Sequence, residues 1–258
     1  MKRVLTALLL VPAVFLVSFY APPLMVWAVL ALVALLCLRE YFQIAANLGF
    51  EPFSVAGFGA AAVLVLARGV PELAFLVVFG AVLLALAMFR AGRLEKTLGS
   101  AAATLFGVIY TAGPFALGRE LHLASAHWLF YVLVLNWASD IAAFYAGRAF
   151  GRHKLAPVIS PSKTWEGAIA SALAAALAGS AYLIQFQPAE MGPLLAVLIS
   201  LAVNLAAQLG DLAESALKRG AQLKDSGELL PGHGGMLDRV DGLLFSLPAC
   251  YLILILLG

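Results

Sequence analysis

Apolar residues run in long, nearly unbroken stretches along this chain, and polar residues gather mainly in the breaks between them. The stretches lie near 4–20, 22–38, 52–67, 72–90, 99–118, 126–147, 165–186, 191–217 and 240–257. A helix needs ~20 apolar residues at ~1.5 Å each to cross a hydrocarbon core of ~30 Å. Continuous runs, without a period of two, exclude a membrane β-barrel. The pattern predicts an all-α polytopic membrane protein with about nine transmembrane helices. The run at 52–67 is the weakest, because it is short and contains Gly57 and Gly59. Met1, Lys2 and Arg3 followed by an apolar run imitate a secretory leader. No small-residue cleavage site follows, and Pro22-Pro23 leads directly into the next run, so the first run is read as a retained span. Residues 1–120 read as packing helices open to oligomer contacts, and residues 121–258 as the catalytic region. No convincing internal repeat is visible, which argues against an inverted-repeat transporter.

Composition narrows the class. Of 258 residues, 63% are hydrophobic and 12% charged, against about one quarter charged in a soluble domain. That excludes an ordinary soluble domain, a disordered chain and a nucleic-acid binder with a basic face. Cys37 and Cys250 stand alone in apolar runs and offer neither metal spacing nor a disulfide framework.

Charge placement gives an orientation. With nine spans, fourteen of the sixteen Lys and Arg residues fall on the side of the N-terminus and only Arg68 and Arg119 on the other. The positive-inside rule then sets the N-terminus in the cytoplasm and the C-terminus outside.

Polar residues inside the spans occur mostly in the second half. Asn136, Ser139 and Asp140 stand at i, i+3 and i+4 and share one helix face. Asp140 lies ~20 Å along a helix entered near His127, and an ionisable group at that depth marks a functional site. The loop that follows carries Arg148, Arg152, Lys154 and Lys163. Ser160, Ser162 and Thr164 then precede the next helix, with Glu166 in its first turn, which is N-cap chemistry. Free amides at that end, together with Lys163, suit a phosphate. On the eighth span Asn204, Gln208, Asp211, Ser215 and Lys218 form one polar stripe, joined by Glu214. Asp211 comes ~30 Å along from Met191, at the depth of lipid phosphates. The densest loop follows, with Arg219, Lys224, Asp225 and Glu228 leading to His233-Gly234-Gly235 and then Asp238, Arg239 and Asp241. Glycines beside His233 let backbone amides approach an anion. Carboxylates without Cys or further His ligands suit a hard cation, Mg²⁺ foremost. Acidic and basic groups together at one membrane interface point to a phosphate–Mg²⁺ substrate.

These residues resemble the phosphatidate cytidylyltransferase, or CDP-diacylglycerol synthase, family. The resemblance rests on Ser215-Ala216-Leu217-Lys218-Arg219, Lys224-Asp225-Ser226-Gly227, Leu230-Pro231-Gly232-His233-Gly234-Gly235 and Asp238-Arg239-Val240-Asp241. A second stretch runs from Trp137-Ala138-Ser139-Asp140 through Gly147-Arg148 to Ser160-Pro161-Ser162-Lys163-Thr164-Trp165-Glu166-Gly167, with Ser162 where the family often has Lys. The likeness covers residues 130–258; the first half matches only in being polytopic and apolar. The resemblance implies transfer of CMP from CTP to phosphatidic acid, giving CDP-diacylglycerol and pyrophosphate. It implies a divalent cation, usually Mg²⁺ and open to assistance from K⁺, a bacterial inner-membrane location, an active site facing the cytoplasm, and a homodimer.

On this reading Asp211, Asp238 and Asp241 bind metal. Lys218, Arg219, Lys224 and Arg239 neutralise phosphates of CTP or lipid, while Asp225 and Glu214 orient those cations or extend the metal shell. The His233-Gly234-Gly235 turn cradles a phosphate, and Asp140, Arg148, Ser160 and Lys163 form the pocket wall and lipid phosphate site. Two other classes share part of the pattern. A CTP-dependent polyprenol or lipid kinase would release CDP and a lipid phosphate. An ion-coupled transporter would place polar groups toward both membrane faces, whereas here they cluster at one.

Overall fold

The computed structural model describes residues 2–69, 71–89, 94–186, 191–227 and 234–257, with side chains from Val11 onward. Four helices, α1 (Lys2–Tyr20), α2 (Pro23–Asn47), α3 (Ser54–Leu66) and α4 (Glu72–Met88), come first. A short 3₁₀ turn at Leu94–Lys96 leads into α5 (Thr97–Thr111) and α6 (Gly113–Ala124), then α7 (Ala126–Phe150). A hairpin of β1 (Lys154–Ala156) and β2 (Ser160–Thr164) precedes α8 (Trp165–Ala174), a π-helical turn at Ala175–Gly179, and α9 (Ser180–Phe186). The chain closes with α10 (Pro193–Gly220), α11 (Leu237–Val240) and α12 (Leu243–Leu257).

Helix starts follow local chemistry. Prolines occupy the first turns of α2, α6 and α10, where the missing N–H costs nothing. Thr164 caps α8 by accepting a hydrogen bond from Gly167 N at 3.2 Å, so one of the three hydroxyls expected at that end is the cap. Ser160 and Ser162 lie instead in β2, antiparallel to β1 with Lys154 opposite Thr164. The hairpin is a departure from a purely helical expectation, because a loop dense in Arg, Lys and Gly carries no apolar period to announce a strand.

Among the described residues, six helical lengths are long and apolar enough to cross a membrane: Pro23–Asn47, Thr97–Ala124, Ala126–Phe150, Trp165–Phe186, Pro193–Gly220 and Leu237–Leu257. Val11–Tyr20, Ser54–Leu66 and Glu72–Met88 are apolar but shorter. Length and composition therefore support six spans and leave a count of nine unconfirmed. Two boundaries shift in ways that matter. α2 continues nine residues past the expected end at 38, so Arg39 and Glu40 lie within a helix rather than a loop. Arg119 belongs to α6, is 2% exposed, and donates from Nη1 to the carbonyls of Val65 at 3.0 Å and Ala67 at 2.7 Å. It caps the C-terminal end of α3 instead of marking a solvated loop.

The apolar core runs through both halves of the chain. Leu38 and Ile44 of α2, Phe115 and Leu121 of α6, Tyr131 and Leu135 of α7 and Leu247 of α12 are nearly or fully buried. α7 packs on α8 and α10 on α12, and α12 also rests on α6. Gly210 permits the α10–α12 contact: a Cβ there would stand 2.6 Å from the carbonyl oxygen of Asp241 and 3.2 Å from Phe245 Cβ. The absent side chain thus brings Asp241 against α10, one residue before Asp211.

Candidate active site

A ladder of buried amides and hydroxyls ties the C-terminal helices together. Asn136 on α7 donates to Ser246 Oγ of α12 at 3.0 Å. Asn204 on α10 donates to Ser139 Oγ of α7 and Ser171 Oγ of α8, each at 3.0 Å. Gln208 donates to Asn204 Oδ1 at 2.7 Å and to the carbonyl of Ala168 at 3.2 Å. Inside a low-dielectric bundle such fully paired bonds hold their helices in one arrangement. The first part of the α10 stripe is therefore a helix–helix seam, and Asn204 and Gln208 on it also line the cavity into which Asp211 reaches.

At the end of this seam lies a cavity of about 510 Å³. Asp140 of α7, Asp211 of α10 and Asp241, which links α11 to α12, all line it. Lys163 of β2 and Arg148 of α7 contribute the positive charge, and Phe144 and Leu155 give it an apolar wall. Lys163 Nζ sits 2.5 Å from Asp211 Oδ2. Asp241 Oδ1 accepts a bond from Gly242 N at 2.7 Å. The three carboxylates lie near enough to repel one another. Three carboxylates thus face two cationic side chains in the cavity.

A second cluster forms around Asp238, which does not line the cavity. Its Oδ1 lies 2.5 Å from Lys218 Nζ, and its Oδ2 accepts from Ser226 N at 3.0 Å and Gly235 N at 2.8 Å. Lys218 also stands 2.7 Å from Glu214 Oε2, an ion pair off the hydrogen-bond line, with Glu214 fully buried. Lys218 is thus shared between two carboxylates.

The expected metal set is divided by this arrangement. Asp211 and Asp241 reach the cavity, while both oxygens of Asp238 are taken by protein donors. Among the described residues no three His, Cys, Asp or Glu side chains converge tightly enough to hold a metal ion by themselves. That donor set still fits Mg²⁺, which is commonly held by one or two carboxylates and completes its shell with waters and substrate phosphates.

The remaining expected residues surround these two clusters. Arg219 donates to the carbonyls of Ile159 at 3.3 Å and Leu223 at 3.2 Å, tying the hairpin to the end of α10. Ser160 lies on β2 but outside the cavity lining. Lys224, Asp225 and Arg239 are exposed. Gly234 has a φ of 77° and lies between Asp225 and Asp238, and Gly235 is buried. His233, with Glu228 and the stretch Leu230-Pro231-Gly232, falls outside the described residues.

One buried charge was absent from the sequence-based set. Glu40 of α2 is 3% exposed and accepts hydrogen bonds from Ser226 Oγ, Met236 N and Leu237 N. Its signal in the sequence is a lone carboxylate within an apolar helix, obscured because Arg39-Glu40 reads as the end of a span.

The fold and site together define a membrane-embedded helical bundle with a cavity lined by acidic and basic side chains, and comparison with known proteins gives it a family. The sequence model of the cytidylyltransferase family matches residues 1–257, so the chain belongs to that family. Among its relatives is a phosphatidate cytidylyltransferase of Brucella suis biovar 1, 42% identical over 192 residues, which are 73% of this chain and 67% of the relative. The phosphatidate cytidylyltransferase of Brucella abortus biovar 1 is 41% identical over the same length. That of Staphylococcus aureus strain COL is 39% identical over 155 residues, 60% of this chain and 59% of the relative.

Proposed function

We infer that this chain transfers CMP from CTP to phosphatidic acid, producing CDP-diacylglycerol and pyrophosphate. The observation that carries the reading is the juxtaposition of Asp211, Asp241 and Asp140 with Lys163 and Arg148 around one cavity, in a chain of the cytidylyltransferase family. The relatives' shared name supplies the substrate pair.

The chemistry asks little of acid–base groups. The nucleophile is a phosphate oxygen of the lipid, already ionised at neutral pH. It attacks the α-phosphorus of CTP, a new P–O bond forms, the α–β bridging bond breaks, and pyrophosphate carries away the electron pair. The barrier lies in bringing two polyanions together and in charge growing on the leaving group. Lys163 and Arg148 meet that charge at the cavity, and Lys218, Arg219, Lys224 and Arg239 are the further cations assigned to phosphates of CTP or lipid. Asp211 and Asp241 are the residues that would hold Mg²⁺, which supplies electrostatic stabilisation of the phosphates when bound. Lys163, paired with Asp211, keeps that carboxylate oriented before substrate arrives. The cavity opens beside apolar surface on α7, where Phe144 is exposed, which suits a substrate whose acyl chains stay in lipid. On a nine-span count, the fourteen-to-two division of Lys and Arg supports placing the basic loops in the cytoplasm.

Label position tests the reading. With CTP labelled at the α-phosphorus, label should enter a chloroform-soluble CDP-lipid. With label at the γ-phosphorus, it should appear only in pyrophosphate. Transfer of γ-label to lipid would establish a kinase instead.

A further inference from the structure

Glu40 lies in the half of the chain that contributes no side chain to the cavity, yet it is among the most thoroughly bonded carboxylates in the molecule. Its Oε1 accepts from Met236 N at 2.8 Å. Its Oε2 accepts from Leu237 N at 2.8 Å and from Ser226 Oγ at 2.7 Å. Two glycines make room for it: a Cβ on Gly227 would lie 2.9 Å from Oε1, and one on Gly235 would lie 2.7 Å from Cδ. The carboxylate is thus enclosed by Ser226 and Gly227 on one side and Gly235, Met236 and Leu237 on the other.

These residues also orient Asp238. Ser226 gives its hydroxyl to Glu40 and its amide to Asp238, and Gly235, whose amide bonds Asp238, immediately precedes Met236. α11 follows directly and delivers Asp241 to the cavity. Glu40 therefore fixes from α2 the residues on either side of Asp238's amide donors, Ser226 and Met236-Leu237, just ahead of Asp241. A charge on a membrane-spanning helix is costly to keep, and a hydrophobic residue would pack there without the need for three donors.

We propose that Glu40 is a positioning residue for CMP transfer: it holds Ser226, Met236 and Leu237 so that Asp238 stays paired with Lys218 and Asp241 is presented at the cavity. This rests on the functional reading above. It also gives the first half of the chain a specific task, a clamp on the signature loop.

Glu40→Gln is the sharpest test, because shape is kept and one oxygen becomes a donor. In either orientation of the amide an N–H faces an N–H, of Met236 or of Leu237. The expected result is a KM for CTP raised at least fivefold, with a thermal midpoint in detergent close to that of the wild type. Hydrogen exchange, which needs no substrate, should quicken in peptides covering 234–241 while peptides of α7 keep wild-type protection. A purely structural role would lower the midpoint and the active fraction without moving KM. Wild-type KM together with wild-type exchange at 234–241 would overturn the proposal. Should Glu40→Gln not fold, Ser226→Ala decides: it removes one donor and leaves both amides, and KM should rise about threefold; an unchanged KM would overturn the proposal equally. Failure of the functional reading shows in the wild type, as absence of CMP transfer, whereas failure of this inference shows only in the variants.

Discussion

Asp211 and Asp238 are both paired with lysine, but their surroundings differ enough to separate the effects of removing them. The Lys163–Asp211 pair is partly open, with the Asp211 side chain 38% exposed, so Asp211→Asn should change stability by less than about 1 kcal/mol. Its turnover should fall by about a hundredfold or more, measured as CDP-lipid formed per folded protein. Asp238→Asn breaks a much drier network: one oxygen becomes a donor, so an N–H faces either Lys218 Nζ or the amides of Ser226 and Gly235. Disrupting such a pair typically costs about 3–5 kcal/mol, so its midpoint in a detergent melt should drop by several degrees as well. A Asp238→Asn variant as stable as the wild type would show that the network carries no structural weight. At this scale the sequence was informative about residue type. Acids are rare in apolar helices, so Asp140, Asp211, Asp238 and Asp241 stood out. What it hid was the division of labour, since the donors that occupy Asp238 are backbone amides, which no residue type announces. Glu40 was hidden for a related reason: beside Arg39 it looks like the solvated end of a span, and only a distant loop explains its burial.

Contacts between elements rest on a few small residues and caps. Gly210→Ala would put a methyl group 2.6 Å from a backbone oxygen of Asp241. Backbone cannot rotate aside as a flexible side chain can, so α12 must shift away from α10 and separate Asp241 from Asp211. Activity should fall at least tenfold and the thermal midpoint with it; full activity would contradict the close approach. Thr164→Ala removes the cap of α8 and should cost about 1 kcal/mol, seen as a small loss of thermal midpoint with CMP transfer largely retained. The apolar runs made most helices legible, because burial in lipid demands long uninterrupted hydrophobic stretches. Helix ends were harder to read. α2 carries its charges inside the protein, and the β1–β2 hairpin is too short and too polar to show a period. Asn204 and Gln208 were visible as part of one stripe and Asn136 as part of another helix face, but only packing of α7, α8, α10 and α12 shows that they tie these helices together.

For the molecule as a whole, scarce charge is concentrated rather than spread. The cavity and the Asp238 cluster both draw on α10 and on the residues around α11, and a cytoplasmic site is the orientation proposed from the distribution of Lys and Arg. Both native cysteines are buried, so Lys224→Cys supplies a single accessible thiol for a membrane-impermeant maleimide. Labelling should require opening of spheroplasts, and labelling of intact spheroplasts would reverse the assigned orientation. The central claim is that Asp211 and Asp241 mark the place where a nucleotide from water meets a phosphate from lipid. Its most direct test is transfer of α-labelled phosphorus from CTP to phosphatidic acid in detergent with Mg²⁺, by wild type, Asp211→Asn and Asp241→Asn, each checked for folding. The wild type should form CDP-diacylglycerol and pyrophosphate in equal amounts, and both folded variants should fall at least a hundredfold below it. Wild-type rates in either variant, or a lipid product without CMP, would contradict the account.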